Sequence, residues 1–440
     1  MAKKVESVGN LDRINSLPDP ILCHILSFLP IKDAVRTSVV SPRWRYLFAS
    51  MPTLDFQDCL SNISSRLALE NFKNFVDRIL FFPIRQTLEC FRLYESRTRD
   101  HDYTRVNGWI RAALRRGVKE IDFRYKTSPV LPTFLFTSQS LMTLKLNIDD
   151  DMKVPCKVCL PNLKSLHLKN MKFSDGDSIH RLISGCLALE DLVMELPDLP
   201  RNISKLNIDS ISLKRLALDF LYMFTIYPLD FNYTFVINAP NLVYFKYAGP
   251  IAEGYCLSTM NSLEKADIGV YQLDDVNLKS GAISNLLQGI CNVKSLHLTI
   301  EQPEKLIGAP LEPVLGFHKL VELELKIHKE YRDWQGTWVI QFLCCAPNLE
   351  SLRLDLPVPN CGFKPLPEEV PLCLLFDLKE IKIRYFEGNE HMFEMISYFL
   401  NHASVLEALM IGIEKDEELS IMKKLLGLPR NSKKCRIVAL

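Results

Sequence analysis

A chain of 440 residues, 48% hydrophobic and 24% charged, is long enough for two or three domains and has the composition of an ordinary folded soluble protein. Its formal charge of +1 gives no electrostatic reason to expect nucleic acid or an anionic membrane as partner, and no run reaches the roughly 18 apolar residues of a membrane-spanning helix. The 13 cysteines are scattered; an odd number in a chain too large to need disulfide staples reads as reduced thiols, and so as a cytoplasmic or nuclear protein.

The first segment, "MAKKVESVGN", has no apolar core and is expected to be a flexible tail over 1–11, not a secretory signal. Residues 12–48 are compact and helical in pattern. Pro18 and Pro20 open a first helix, where a missing N–H costs nothing, and Pro30 stops it. "KDAVRTSVV" predicts a second short helix and "SPRWRYLFA" a third, with Ser41 as N-cap and Pro42 in the first turn. In "LPDPILCHILSFL" (17–29), Ile21, Leu22, Ile25, Leu26, Phe28 and Leu29 fall within about 160° of a helical wheel. A helix facing one core needs a stripe of only about 100°. Either the stripe is wholly internal, or part of it is covered by something outside this segment.

The remainder repeats. The pattern L-x-x-L-x-L recurs from "VKEIDF" (118) through "LKSLHL" (163), "VKSLHL" (293) and "LESLRL" (349) to "LEALMI" (406), with successive units starting 21 to 30 residues apart. That is the period of leucine-rich repeats with insertions. Each unit sets one short strand on a concave side, alternate residues pointing in and out. A return segment such as "SIHRLISGCLA" is expected to be helical or irregular on the convex side, and stacked neighbours complete the core. The predicted fold is α/β: three N-terminal helices, then a solenoid with a curved, mostly parallel sheet. Long loops are expected at 219–236, 301–316 and 355–371. "SDGDS" (174–178) reads as a turn and N-cap before a helix near Ile179. In the last units Met392, Phe393, Met395, Ile396, Phe399 and Leu400 form a helical stripe, and "SKKCRIVAL" alternates like an edge strand.

The residue between the last two leucines of each unit faces the concave surface. There Val193 and Ala217 are expected to make an apolar patch beside Lys145, His167 and Lys246, a face that is either simply solvated or recruits a partner. His167 and His297 lie too far apart in repeat order to share a metal or catalytic site. Cys156 and Cys159 form a lone C-x-x-C without the further ligands of a zinc site. Neither G-x-x-x-x-G-K nor H-E-x-x-H occurs. No metal, cofactor or catalytic constellation is therefore expected.

Residues 12–48, "DRINSLPDPILCHILSFLPIKDAVRTSVVSPRWRYLF", resemble an F-box through Asp12, Arg13, Ile14, Leu17, Pro18, Asp19, Leu22, Ile25, Leu26, Leu29, Val35, Thr37, Ser38, Val40, Ser41, Trp44, Arg45 and Leu47. "NGWIRAALRRGVKEIDF" (107–123) and "GCLALEDLVM" (185–194) look like segments of plant F-box/leucine-rich-repeat proteins. "FDLKEIKIRYFEGNEHMFEMISYFLNHASVLEALMI" (376–411) resembles the FBD region that ends many of them. The resemblance implies an F-box over 12–56, repeats over 57–370 and an FBD-like cap over 371–440. It implies a non-catalytic, cofactor-free receptor subunit of a Skp–cullin–F-box ubiquitin ligase. Leu17, Pro18, Ile21, Leu22, Ile25 and Leu29 would meet the Skp-type adaptor, and through it a cullin. Trp44 would be an interface anchor or a lock between the third and first helices. A target protein would lie on the repeat face; neither nucleic acid nor membrane is implied. Pro20 departs from the acidic or polar residue commoner at its place. The rivals are a small-molecule receptor with a pocket on the repeat face, and a scaffold that leads to no degradation.

Overall fold

The structure is a computed structural model that describes residues 14–57, 65–82, 87–95, 103–125, 131–149, 151–173, 175–197, 204–220, 233–258, 260–271, 282–301, 303, 316–328, 334–359, 365–413 and 418–440. The expected tail over 1–11, most of the loops expected at 219–236 and 301–316, and residues 360–364 of the loop expected at 355–371 lie outside the described residues. The chain divides into two compact units, Met1–Met171 and Lys172–Leu440.

The first unit opens with α1 (Asp19–Leu26) and α2 (Ile31–Arg36), each entered from a proline, Pro18 and Pro30, that occupies the N-cap position. A 3-10 turn (Thr37–Val39) and a 3-10 helix (Trp44–Ser50) follow. Ser41 is not the N-cap expected for the third helix. Its carbonyl accepts from the Trp44 N–H at 3.1 Å, while its hydroxyl is buried with no hydrogen-bond partner among the described residues. Burying Trp44 and Leu47, three apart, suits the three-residue turn of a 3-10 helix better than an α-helix begun at Ser41.

The chain then enters a parallel sheet at once. Its strands are β1 (Thr53–Asp55), β2 (Cys90–Glu95), β3 (Glu120–Tyr125), β4 (Thr143–Ile148) and β5 (Ser165–Lys169), paired in that order. Helices α3 (Arg66–Leu80) and α4 (Tyr103–Arg115) form the returns. Ser65 caps α3 by accepting from Ala68 N–H at 3.1 Å. Trp109 Nε1 donates to Asp77 Oδ1 at 2.6 Å, tying α4 to α3. The first two strands come from "MPTLDF" and "LECFRL", in which phenylalanine stands for leucine. Phe56 and Phe91 are fully buried, and Phe56 packs edge-on against Phe72, Phe75 and Phe91. Repetition thus begins two units before "VKEIDF" (118).

In the second unit ten strands pair in parallel and in chain order. They are β6 (Asp191–Leu196), β7 (Arg215–Phe220), β8 (Tyr244–Pro250), β9 (Lys265–Tyr271), β10 (Ser295–Ile300), β11 (Glu322–Ile327), β12 (Ser351–Asp355), β13 (Glu380–Phe386), β14 (Ala408–Ile413) and β15 (Arg436–Ala439). The motif leucines stack inward; Leu320, Leu323 and Leu325 are each at most 1% exposed. Returns are formed by α5 (Asp177–Ser184), α6 (Ala282–Gly289), α7 (Gly336–Cys344), α8 (Leu372–Phe376), α9 (Glu390–His402) and α10 (Glu418–Leu426). Helix α5 starts at Asp177 behind Gly176, with no side-chain cap. Between β6 and β9 the described parts of the returns contain strands in place of helices. Lys205–Asp209, Thr234–Asn238 and Gly254–Leu257 form a second parallel sheet. Phe235 and Ile237 alternate inward with strand period, and Phe220, Tyr233, Phe235, Tyr247 and Tyr255 fill the space between the sheets. Helix α9 buries Met392, Met395, Ile396, Phe399 and Leu400.

Candidate functional site

The wide apolar stripe of α1 divides in two. Leu22 and Leu26 are 0% exposed and Cys23 4%, with the Cys23 thiol 3.6 Å from the Leu47 carbonyl. On the other side Ile21, Ile25 and Leu29 are 39–46% exposed and Phe28 is 76% exposed. These four recur at helical spacing along α1 and the turn after it. Val39 and Val40 are exposed as well. Exposed apolar side chains grouped in this way make this side of α1 the candidate binding face.

Two residues expected at that face belong inside. Leu22 lies in the domain's own core, because its position on the wheel points toward the 3-10 helix. Trp44 is also buried, and its Nε1 donates to Asn15 Oδ1 at 2.5 Å, tying it to the entry segment. Leu17 is half-buried and Pro18 exposed. Arg43, which sequence reasoning passed over, fixes the start of α1. Its Nε lies 3.0 Å from Asp19 Oδ1, its Nη2 2.5 Å from the Leu17 carbonyl, and its Nη1 donates to the Asn15 carbonyl. The signal was present as an Arg–Trp pair opposite an Asn and an Asp, but only the fold shows that they meet.

Beside this face, the turn 27–32 and the first strands enclose a cavity of about 330 Å³, bordered by Phe28, Leu29, Met51, Asp55 and Arg92 among others. Arg92 bridges Asp55 at 3.4 Å and Glu120 at 3.1 Å. Neighbouring Cys90 is pushed up to about 12, by burial first and then by Glu120, so it is an inert thiol at neutral pH.

The outward residues of the sheets form continuous rows. In the first unit Lys145 and His167 are register partners. Asp122, on the strand before, is almost buried and tied to Arg124 at 3.3 Å. In the second unit Val193, Ala217 and Lys246 are register partners. Ala217 is 4% exposed, overshadowed by its longer neighbours, and so offers no contact surface of its own. Lys246 is held by Asp219 at 2.7 Å. Further along, the Tyr244 hydroxyl donates to Asp267. Burial, and then that carboxylate, push Tyr244 up to about 12. His297 stands in register between Asp267 and Glu324.

Among the described residues no group of three or more side chains could hold a metal ion, and Cys156 and Cys159 are both exposed. No described helix is long and apolar enough to cross a membrane.

The comparisons agree with this geometry. The F-box domain family matches residues 14–55, the three helical segments and β1. The family described as At1g61320/AtMIF1, LRR domain matches residues 85–437, which takes in β2. The chain is 32% identical to F-box/LRR-repeat protein At3g59200 of Arabidopsis thaliana, over 97% of this chain and 88% of that protein. It is 33% identical to F-box/LRR-repeat protein At3g59190 of the same plant, over 81% of this chain and 96% of that one. With the Arabidopsis F-box/FBD/LRR-repeat protein At2g26030 it shares 30% identity over 98% of this chain and 99% of that protein.

Proposed function

The chain belongs to the F-box/leucine-rich-repeat proteins, and on that premise we propose that it is the target-recognition subunit of a Skp–cullin–F-box ubiquitin ligase. The outer side of α1, with Ile21, Ile25, Phe28 and Leu29, takes the Skp-type adaptor and through it a cullin; Leu17 and Pro18 border that contact. The open faces of the repeat sheets hold a target protein. The chain itself is not an enzyme. It works by raising the target's concentration beside the ubiquitin-carrying partner, in the cytoplasm, the nucleus or both. In this reading residues 12–56 are the F-box, 57–370 the repeats and 371–440 an FBD-like cap, behind a tail over 1–11.

The observation that carries the reading is the divided stripe of α1. Its inner residues complete the domain, and apolar side chains of comparable size are left uncovered on the other side. Affinity purification of the intact chain and of a variant lacking residues 14–50, each with and without proteasome inhibition, tests it. A Skp-type adaptor should co-purify with the intact chain alone. Targets should be enriched by the inhibitor or by the deletion. An intact chain that brings down no such adaptor, or whose bound proteins are indifferent to both treatments, sinks the proposal. A ligand-dependent rise in melting temperature of the purified chain would favour the small-molecule rival instead.

A further inference from the structure

The open face of the second unit changes character along its length. From β6 to β10 several of its charges pair off between neighbouring strands: Arg215 with Asp191 at 3.3 Å, Lys246 with Asp219 at 2.7 Å, and His297 near Asp267 at 3.8 Å, while Lys265 has no carboxylate partner among the described residues. Toward the ends of β11, β12 and β13 they do not. Four cations, Lys326, Arg353, Lys382 and Arg384, share two carboxylates in the same rows. Glu324 serves both Arg353 at 4.0 Å and Arg384 at 3.9 Å, and Asp355 serves Lys326 at 3.5 Å. Lys382 has no carboxylate partner among the described residues. Glu322 and Glu380 stand one row back, toward the strand starts.

Lys382 sits in register between Arg353 and Met410, and Met410 is followed by Val438. The row therefore runs cation, cation, apolar, apolar, at strand spacings of about 4.8 Å. A β-bulge borders it. The register of β13 shifts between Ile383 and Phe386, so that Arg384 and Tyr385 both point outward. Tyr385 is 59% exposed and holds a left-handed φ of 56°, a conformation that a tyrosine adopts only when its surroundings impose it. Bulges re-aim side chains where pairing alone would turn them inward.

We propose that this row, Arg353–Lys382–Met410–Val438 with Arg384 and Tyr385 beside it, docks a target segment in which acidic residues are followed by apolar ones. The carboxylates lie over Arg353, Lys382 and Arg384, and the apolar side chains over Met410 and Val438. This rests on the reading that the open sheet face holds the target. Charge complementarity selects the occupant: a basic or purely apolar segment would leave Lys382 unmatched.

The probe is a fluorescein-labelled peptide with a glutamate block followed by a leucine block, titrated by anisotropy against the full chain purified with its adaptor. It should bind, and the binding should weaken as salt rises. In the Arg353→Glu/Lys382→Glu variant, affinity should fall by about tenfold or more, as expected when several exposed charge pairs are inverted together, at unchanged melting temperature. If that variant misfolds, Arg353→Gln/Lys382→Gln serves with a smaller loss, and Met410→Ser should weaken binding without changing its salt dependence. Equal affinity of wild type and charge variants, equal binding of a lysine–leucine peptide, or binding only when phosphoserine replaces glutamate would overturn the assignment. Cellular targets held equally by the reversal variant would remove the docking site and leave the receptor reading standing. If no protein's turnover depends on the chain, the receptor reading fails, while the peptide titration still decides the site.

Discussion

Lys294 Nζ lies 2.8 Å from Oε1 of Glu264, the residue at the same position one strand earlier. That position is Val321 on the following strand, then Glu350, which Lys379 reaches at 2.7 Å. Earlier in the same unit Lys214 reaches Glu190 at 2.8 Å, and Val243 follows. Backbone hydrogen bonds run strand to strand through these residues. Along the strand-entry edge from β6 to β13 the second unit thus reads Glu, Lys, Val, and repeats, each valine separating one ion pair from the next, until Glu407 follows Lys379 directly. A strand stacked between a glutamate and its lysine would break that ion pair. The row discriminates between stackings more than it stabilises the right one, because each pair is exposed.

Lys294→Glu should therefore lower stability only slightly, on the order of 0.5 kcal/mol, and the added Glu264→Lys change should restore it. A double-mutant cycle from denaturant melts measures the coupling. Additive losses would show that the two side chains do not interact in solution.

The leucine spacing was enough to locate β3 to β14, and alternation located β15. Strands β1 and β2 were passed over although "MPTLDF" and "LECFRL" carry the pattern with the same kind of substitution as "VKEIDF" on β3; in them Phe56 and Phe91 do a leucine's work with a larger ring. The second sheet escaped for a different reason. A return segment is recognised by what it packs against, and the aromatic filling from Phe220 to Tyr255 comes from strands far apart in sequence. At the candidate site, periodicity revealed that α1 carries more apolar surface than one core needs. It held no information on which side faces inward, and so Leu22 was grouped with Ile21 and Ile25. That choice is made by Trp44, Leu47 and the bonds of Arg43, all contacts across about 24 to 29 residues.

The divided stripe predicts opposite outcomes for neighbouring substitutions. Leu22→Asp buries a carboxylate without a partner, a cost of several kcal/mol. It should unfold the helical segment and lose the adaptor for that reason. Ile25→Asp or Phe28→Asp acts at an exposed position, should change stability by no more than about 0.5 kcal/mol, and should still abolish adaptor binding. Pull-down with a Skp-type adaptor beside circular-dichroism melts separates the cases. Full binding by the Ile25 and Phe28 variants would remove the outer side of α1 from the interface.

The tyrosines predict an alkaline limit to the fold. Burial raises Tyr247 well above its ordinary value, and brings Tyr255 and Tyr271 up to about 12, Asp219 and Glu301 adding to the effect at Tyr271. Tyr244 shares that range. Each holds its proton more tightly in the folded chain than in the unfolded one, where the ordinary value is 10.0. The resulting stabilisation is whole below pH 10 and is lost as pH rises toward 12. Tyrosinate absorbance should therefore appear in two steps, the second coinciding with loss of the circular-dichroism signal. A single step near pH 10 with the fold intact would contradict the burial of these rings.

The last prediction concerns the end of the solenoid. The final strands contribute Ile381, Ile383, Leu409 and Ile411, and α9 contributes Met395, Ile396 and Phe399, all fully buried. Each such side chain stabilises the fold by roughly 1.5–3 kcal/mol on leaving water, and together they cover Leu349, Leu352 and Leu354 of the β12 repeat, which are also fully buried. Terminal repeats shield an open core end. Removing residues 376–440 should therefore give insoluble or molten protein. Removing only 427–440 takes β15, the buried Cys435 and the 2.6 Å bond from the Ser432 hydroxyl to the Leu406 carbonyl. That shorter cut should lower the melting temperature by several degrees but leave a folded chain, because the β13–β14 pair stays beneath α9. Both truncations should keep adaptor binding, since α1 and the 3-10 helix belong to the other unit. The two cuts also separate the roles of this end. The shorter one removes Val438 but keeps Arg353, Lys382 and Met410, so it should weaken the acidic–apolar peptide without abolishing its salt dependence. If the chain ending at 375 is soluble, unfolds cooperatively and melts where the full chain does, residues 376–440 are no cap, and a separately folded recruitment domain is the better account of them.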